Sequence, residues 1–560
     1  MSTDTSSADT TPELGVQEEA GDPAPSLGQV LPLGGTVQDG RPSWVTDERL
    51  DAWFAHVPGG RPLGADVELQ VALAPFTLEP TVPVPVTSVA DVEDVFDRAR
   101  RAQPRWAGRR HVDRRSVVLA FHDLLLEEQE EVLDLIQWET GKARFHAYQE
   151  IAQVASLARH YAVRSAHYLR PQRRRGMVPG ATVVTERRVP KGVVAVISPW
   201  NYPLYLGVGD VVPALLAGNT VVSKADSQTP LTMLWTRELM SRAGLPEDVW
   251  QVVTGRGSET GAALVDRADF VMFTGSTATG RGVARRAADR LVQSSLELGG
   301  KNSLVVRRDA DLERAARGAV SAAFANTGQM CIHVERIHVH EAVYEAFKQE
   351  LVAAIGELRL GSSYDYTVDV GSLTSVAQLE TVTEHVQDAV NQGAVVVVGG
   401  RQRPDLGPLF HEPTVLEGVT PSMRVFAEET FGPVVSLQRF ASDDEAVAQA
   451  NAGAYGLSAS VWGRDVRAAE ALGMRIRAGA VNINDGAAAA AGSVEAGMGG
   501  MGDSGLGRRH GVDGIVKYTD AQTVARQRWL PLGPARGSSV ARFVTSTTRQ
   551  LRIMRRLGLR

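Results

Sequence analysis

The feature that most constrains the fold is an alternation of apolar strands with helical stretches that begins at Val193. Residues 193–198 read VVAVIS and residues 220–224 read TVVSK, with a helical stretch over 206–217 between them. Short, nearly unbroken apolar runs fit strands buried on both faces, and a helix linking two of them returns the chain so that they run parallel. A second helix over 231–243 leads to VWQVVTG, and RADFVMFTG supplies a further strand. This predicts an α/β fold with a doubly wound sheet, whose ligands are expected at the carboxyl ends of the strands. After Gly300 a second α/β unit opens with NSLVVRR, a helix over 312–326, a loop, ERIHVHE and, later, VVVVGG at 395–400. With 560 residues there is enough chain for two cores.

The loop of the second unit, FANTGQMCIHVER over 324–336, holds Cys331, the only cysteine of the chain. A lone cysteine is more often a small core hydrophobe than a nucleophile. Two other residues argue otherwise. Glu297 stands in the apolar phrase SLELGGKNS just before paired glycines, and Asn201 follows the strand VVAVIS in the loop PWNYPL. A thiol, a carboxylate and an amide are the nucleophile, water-activating base and oxyanion donor that acyl transfer through a thioester needs.

A dinucleotide site is also legible. Gly255, Gly257 and Gly261 come near GxGxxG, but the last glycine is one position late. The better phosphate cradle is GSTATG over 275–280, directly after FVMFT and before a helical stretch, where Gly275 and Gly280 let backbone amides approach a diphosphate. Lys224 ends the strand TVVSK, at the sheet edge where an adenine ribose would sit.

Five phrases in order, SPWNYPL at 198–204, FTGSTATG at 273–280, LELGGKN at 296–302, GQMC at 328–331 and EETFGPV at 428–434, make the chain resemble the aldehyde dehydrogenase superfamily from about residue 80 to about residue 528. KADSQTP, GSSYDYTVDVGSL and MGGMGDSGLGRRHG are most similar to a bacterial succinate-semialdehyde dehydrogenase branch. The resemblance implies oxidation of an aldehyde to a carboxylic acid with Cys331, Glu297 and Asn201 as catalytic residues. It further implies Ser276 on the diphosphate, Lys224 on the adenine ribose, Glu429 on the nicotinamide ribose, and Phe431 and Trp200 beside the cofactor. Many NAD-using relatives carry a glutamate where this chain has Ser227; its absence removes a charge that would repel a 2′-phosphate, so NADP is expected, with NAD also accepted.

The resemblance also implies a cofactor domain over 45–298, interrupted by an oligomerisation hairpin at 176–190, a catalytic domain over 299–510 and an oligomerisation strand at 511–530. A homodimer or homotetramer is the expected assembly, since exposed strands seek partners. Succinate semialdehyde is the expected substrate, but relatives specific for it place arginines where this chain has Ala325 and Gly209, and the late GGxKxSG lysine is replaced by Gly502. A less charged aliphatic or aromatic aldehyde is therefore the alternative, and a non-catalytic binding protein of the same fold a further one. Coenzyme A as acyl acceptor is disfavoured by Glu297. His333 could touch substrate, though a satisfied loop histidine is preferred.

The remaining segments say less. The formal charge of −6 is small for this length, so nucleic acid is not an expected partner. No basic region followed by an apolar run opens the chain, and no stretch is long and apolar enough to span a bilayer, so the cytoplasm is the expected location. Residues 1–28 have a disorder composition. The last stretch, 531–560, is a basic amphipathic tail: Val540, Phe543, Val544, Leu551, Met554 and Leu557 recur at helical spacing among arginines. It could touch a membrane or an acidic partner; a helix packed on its own subunit or frayed in solution is the preferred reading.

Overall fold

The computed structural model describes residues 31–34, 40–59, 67–176, 182–528, 533–534 and 536–558. The expected tail over 1–28 lies outside them. The helix expected near the start is Asp47–Phe54, capped by Thr46 and buried through Leu50, Trp53 and Phe54. Ser88 and Asp91 form a reciprocal cap on Val89–Ala107, satisfying amides that the first helical turn leaves open.

Two large sheets carry the molecule. The first has six strands in the order Gly505–Leu506, Ser294–Glu297, Phe270–Thr274, Val193–Ile197, Thr220–Lys224, Trp250–Val253. All are parallel except Gly505–Leu506, which runs antiparallel to Ser294–Glu297. Val193–Ile197 is first in sequence but central in space, so strand order reverses between it and Phe270–Thr274. That is the crevice where open α/β sheets bind ligands, and the loops leaving those two strands carry Trp200, Asn201, Gly275 and Ser276. The second sheet orders Val395–Val398, Thr414–Glu417, Val434–Phe440, Val334–His340, Asn302–Val306, Ser458–Trp462 and Ala480–Ile483, with Val395–Val398 the antiparallel edge.

Several boundaries differ from those read in the sequence. The stretch over 206–217 is two short helices, Pro203–Val208 and Val211–Leu216. The hairpin expected at 176–190 starts earlier, pairing Gln172–Arg175 with Thr182–Pro190. Within 511–530 the strand is Thr519–Gln527, preceded by a helical turn at Asp513–Val516. The segment 505–506, expected within the catalytic domain, lies in the first sheet. It closes that sheet's edge beside Glu297 and so joins the two units where they meet.

Candidate active site

Three consecutive left-handed residues precede Cys331. Helix Leu312–Phe324 ends, and Asn326, Thr327 and Gly328 follow at φ of 51°, 57° and 71°. For the first two this costs about 1–2 kcal/mol each, which the surroundings must offset. Asn326 Nδ2 donates to the carbonyls of Asn201 and Gln329 at 3.1 and 3.0 Å, the Thr327 hydroxyl donates to the Gly371 carbonyl, and Gln329 Oε1 accepts from the Thr374 amide at 2.9 Å. Gly328 is also demanded sterically, since a Cβ there would lie 2.1 Å from the Gly432 carbonyl oxygen. The cysteine loop is thereby pressed onto the loop that carries Glu429. Cys331 is half-buried. Burial, with Glu429 adding to it, pushes its thiol up to about 12, against the opposing charge of Arg509.

Asn201 reaches the same loop from the first sheet. Its side-chain amide donates to the Gln329 carbonyl at 3.0 Å, which uses one of its two hydrogens. Its backbone carbonyl accepts from Lys142 Nζ at 2.6 Å, and Lys142 pairs with Glu150 at 2.6 Å, both side chains fully buried. The other Glu150 oxygen accepts from the Tyr205 amide at 3.0 Å. This buried pair fixes both ends of the Asn201 turn.

Glu297 ends Ser294–Glu297. Its Oε1 is buried without a hydrogen-bond partner. Burial raises its carboxyl to about 7, while Arg509 and Lys517 pull the other way. Arg509 Nε donates to Asp210 at 2.7 Å and its guanidinium also reaches the Thr274 hydroxyl; Asp210 further accepts from Lys517 at 2.9 Å and Tyr518 at 2.7 Å. Burial alone would raise the Asp210 carboxyl, but the two cations and these donors hold it well below the usual range. One carboxylate thus faces two cations, and the surplus positive charge tempers the burial of Glu297.

Cys331, Asn201, Glu297 and Arg509 all line one cavity of about 360 Å³. Elsewhere its wall combines large apolar side chains such as Tyr202, Leu206 and Trp462, small residues such as Gly318 and Ala325, and the polar Gln153 and Asp485. Arg509 is the only lysine or arginine among the described residues lining it. Ala325 faces the cavity; Gly209 and His333 do not line it. His333 is buried behind the loop, Nδ1 against the Met330 carbonyl and Nε2 3.1 Å from Glu335.

The residues expected at a dinucleotide lie across the carboxyl ends of the first sheet. Ser276 caps helix Thr277–Asp289, accepting from the Thr279 amide, while the first-turn amides of Thr277 and Ala278 point out of the helix toward an incoming anion. Gly280 lies against Leu298, which a Cβ would meet at 2.4 Å. Lys224 is 4 % exposed, and its ammonium bonds to no described residue. Burial lowers its ammonium below the usual lysine range, with Asp226 pulling the other way, and a ribose hydroxyl or phosphate would supply a hydrogen-bond acceptor, so the site fits a dinucleotide. Ser227 Oγ donates to the Gly255 carbonyl at 3.1 Å. Glu429 accepts from the Gly300 amide at 2.8 Å, and burial, with Glu335 adding to it, lifts its carboxyl to about 7. Phe431, at φ 54°, meets Trp200 edge to face with ring centroids 5.6 Å apart.

Sequence reading missed what lies behind these groups. Glu335 accepts from the Thr430 and Phe431 amides at 3.0 and 3.2 Å and pairs with the buried Lys301, so a charge on the second sheet anchors the loop of Glu429. Lys142, Glu150 and Arg509 were also missed. Arg509 sits in the quoted phrase SGLGRRHG, where a pair of basic residues among glycines was the available signal.

The aldehyde dehydrogenase family model matches residues 65–524. The chain belongs to the aldehyde dehydrogenase family. It is 48 % identical over 462 residues to the Mycobacterium tuberculosis (strain ATCC 25618 / H37Rv) protein named "Putative succinate-semialdehyde dehydrogenase [NADP(+)] 2", covering 82 % of this chain and 89 % of the relative. A Mycolicibacterium smegmatis relative named "Putative succinate-semialdehyde dehydrogenase [NADP(+)]" is 47 % identical over 482 residues, covering 86 % and 93 %. Among solved structures, one titled an E. coli NADP dependent enzyme superposes with a TM-score of 0.81 at 33 % identity, covering 84 % of this chain and 98 % of that one. This aldehyde dehydrogenase therefore has the fold of its family, and Arg509, the one lysine or arginine among the described residues lining the cavity, is already paired with Asp210.

Proposed function

We propose that this aldehyde dehydrogenase oxidises succinate semialdehyde to succinate with NADP, through a thioester on Cys331. The observation that carries the mechanism is the shared cavity in which an unpartnered carboxylate oxygen of Glu297 accompanies Cys331 and Asn201. The Cys331 thiol, raised by burial, gives up its proton to solvent at the cavity and attacks the aldehyde carbon as the thiolate. The second hydrogen of the Asn201 amide and the Cys331 backbone N–H hold the oxyanion. When bound, the nicotinamide cofactor supplies the hydride acceptor that leaves a thioester on the enzyme. Glu297 takes a proton from water, which releases the acid; a carboxyl near neutrality suits a general base at physiological pH. Asn201→Ala is expected to lower kcat by about a hundredfold to a thousandfold, read by steady-state kinetics, with cofactor affinity unchanged.

The relatives' names support succinate semialdehyde and NADP. Ser227 supports NADP independently, since a hydroxyl there carries no charge against a 2′-phosphate. Ser227→Glu is expected to raise the KM for NADP by about tenfold or more through like-charge repulsion and to lower that for NAD; equal changes for both would remove this residue from cofactor choice. The same reading places the enzyme in the cytoplasm as a homo-oligomer, supported by the exposed edge strand Thr519–Gln527, which pairs on one side only with Thr182–Pro190.

The cavity favours a second substrate reading. Among the described lining residues the only lysine or arginine serves Asp210, Asp485 adds negative charge, and a buried carboxylate without a cation is costly, so an uncharged aldehyde would enter more easily. Turnover efficiency with succinate semialdehyde and with an uncharged aldehyde of similar length decides between them. A preference for the charged substrate above about a hundredfold, or 2.7 kcal/mol, supports succinate semialdehyde; equal or reversed values assign the uncharged class.

A further inference from the structure

We propose that helix Val540–Arg556 docks this enzyme on an anionic lipid surface. None of its 17 residues is buried, and Val540, Val544 and Leu551 are 64 %, 55 % and 54 % exposed. At about 100° per residue, Val540, Phe543, Val544, Leu551 and Met554 gather on one arc. Arg542, Arg549, Arg552 and Arg556 point to the other side, with Arg555 at the boundary, and none of the five pairs with a described carboxylate. Arg555 and Arg556 occupy the last turn, where cations suit the helix dipole.

The surrounding sequence sharpens the charge. The last acidic residue is Asp520, and the 40 residues after it hold nine arginines. Of the total of −6, that segment contributes +9, so the chain before it is −15. The positive charge of the C-terminal segment, five of whose nine arginines lie on this helix, thus stands against a net negative remainder.

Three occupants could cover such a helix, and the pattern favours lipid. A nucleic acid would use the arginines and leave the apolar arc in water. A second copy would cover the arc but bring ten arginines together with no acid at flanking positions to pair them, unlike helices that associate through complementary charges. A lipid surface takes both at once: the arc enters the acyl boundary while the arginines meet headgroup phosphates. No described helix is long and apolar enough to cross a membrane, so the attachment would be peripheral.

The test is co-sedimentation of the full chain with vesicles of phosphatidylcholine alone or containing phosphatidylglycerol, at low and raised salt. The protein is expected to pellet with the anionic vesicles only and to be released by salt. Deleting 540–560 should abolish binding, each arginine replaced by glutamine should lower partitioning about fivefold, and Val544→Ser with Leu551→Ser should lower it about tenfold or more. Turnover without vesicles is expected to be unchanged in every variant, which controls for folding. Equal binding to neutral vesicles, or binding that survives the deletion, would overturn the proposal. So would a smaller assembly on deletion with no vesicle binding, which assigns the face to a second copy. DNA binding insensitive to the double serine variant, without vesicle binding, would assign it to nucleic acid.

Discussion

Cys331→Ala is expected to lower aldehyde turnover by about ten-thousandfold or more, the scale on which covalent catalysts lose rate without their nucleophile. The side chain is half-buried at a cavity wall, so the change removes one sulfur without opening a large void, and the thermal midpoint should stay close to that of the unaltered enzyme. Cofactor binding, followed by fluorescence of the reduced dinucleotide, should persist, because the residues proposed to hold it, Lys224, Ser276 and Glu429, are untouched. The chain has a single thiol, so an alkylating reagent labels one position, and that labelling should abolish turnover in parallel with incorporation. A variant retaining more than about one hundredth of the activity would remove Cys331 from the mechanism.

Glu297→Gln is expected to divide the reaction. Loss of a positioned base costs about a hundredfold to ten-thousandfold, and here the loss should fall on hydrolysis of the thioester. Rapid mixing with aldehyde and cofactor should give a burst of reduced dinucleotide equal to one turnover per active site, followed by a stall. An absent burst would place Glu297 in the first half of the reaction instead. The pH profile offers a second readout. Burial raises the Glu297 carboxyl to about 7, and only the ionised form accepts a proton, so hydrolysis-limited turnover should climb as pH rises through 7 and level off above it. In the glutamine variant that limb should vanish. If it persists, another group governs it.

The basis for both predictions divides unevenly between sequence and fold. Apolar runs at Val193–Ile197, Thr220–Lys224 and Phe270–Thr274 declare parallel strands by their composition, since strands covered on both faces admit few polar residues. The loops after them declare themselves by proline, glycine and a small set of polar residues. Cys331, Glu297 and Asn201 were legible for the same reason: each stands out chemically against its own neighbours. Sequence also supplied the family, the serine at 227 and the missing arginines at 209 and 325.

Tertiary structure alone decided how those groups are held and tuned. Arg509 moderates Glu297 across more than two hundred positions because Gly505–Leu506 returns to pair beside Ser294–Glu297. Lys142 reaches the carbonyl of Asn201 from a turn between helices, and Glu335 holds the amides of Thr430 and Phe431 from a different strand. The near-neutral carboxyl of Glu297 follows from burial at the junction of two units, which no local run of residues records. Local chemistry is written in short stretches, where composition and periodicity act on near neighbours; charge balance and cavity shape depend on which distant stretches the sheets bring together, and that is fixed only when the register of the strands is fixed.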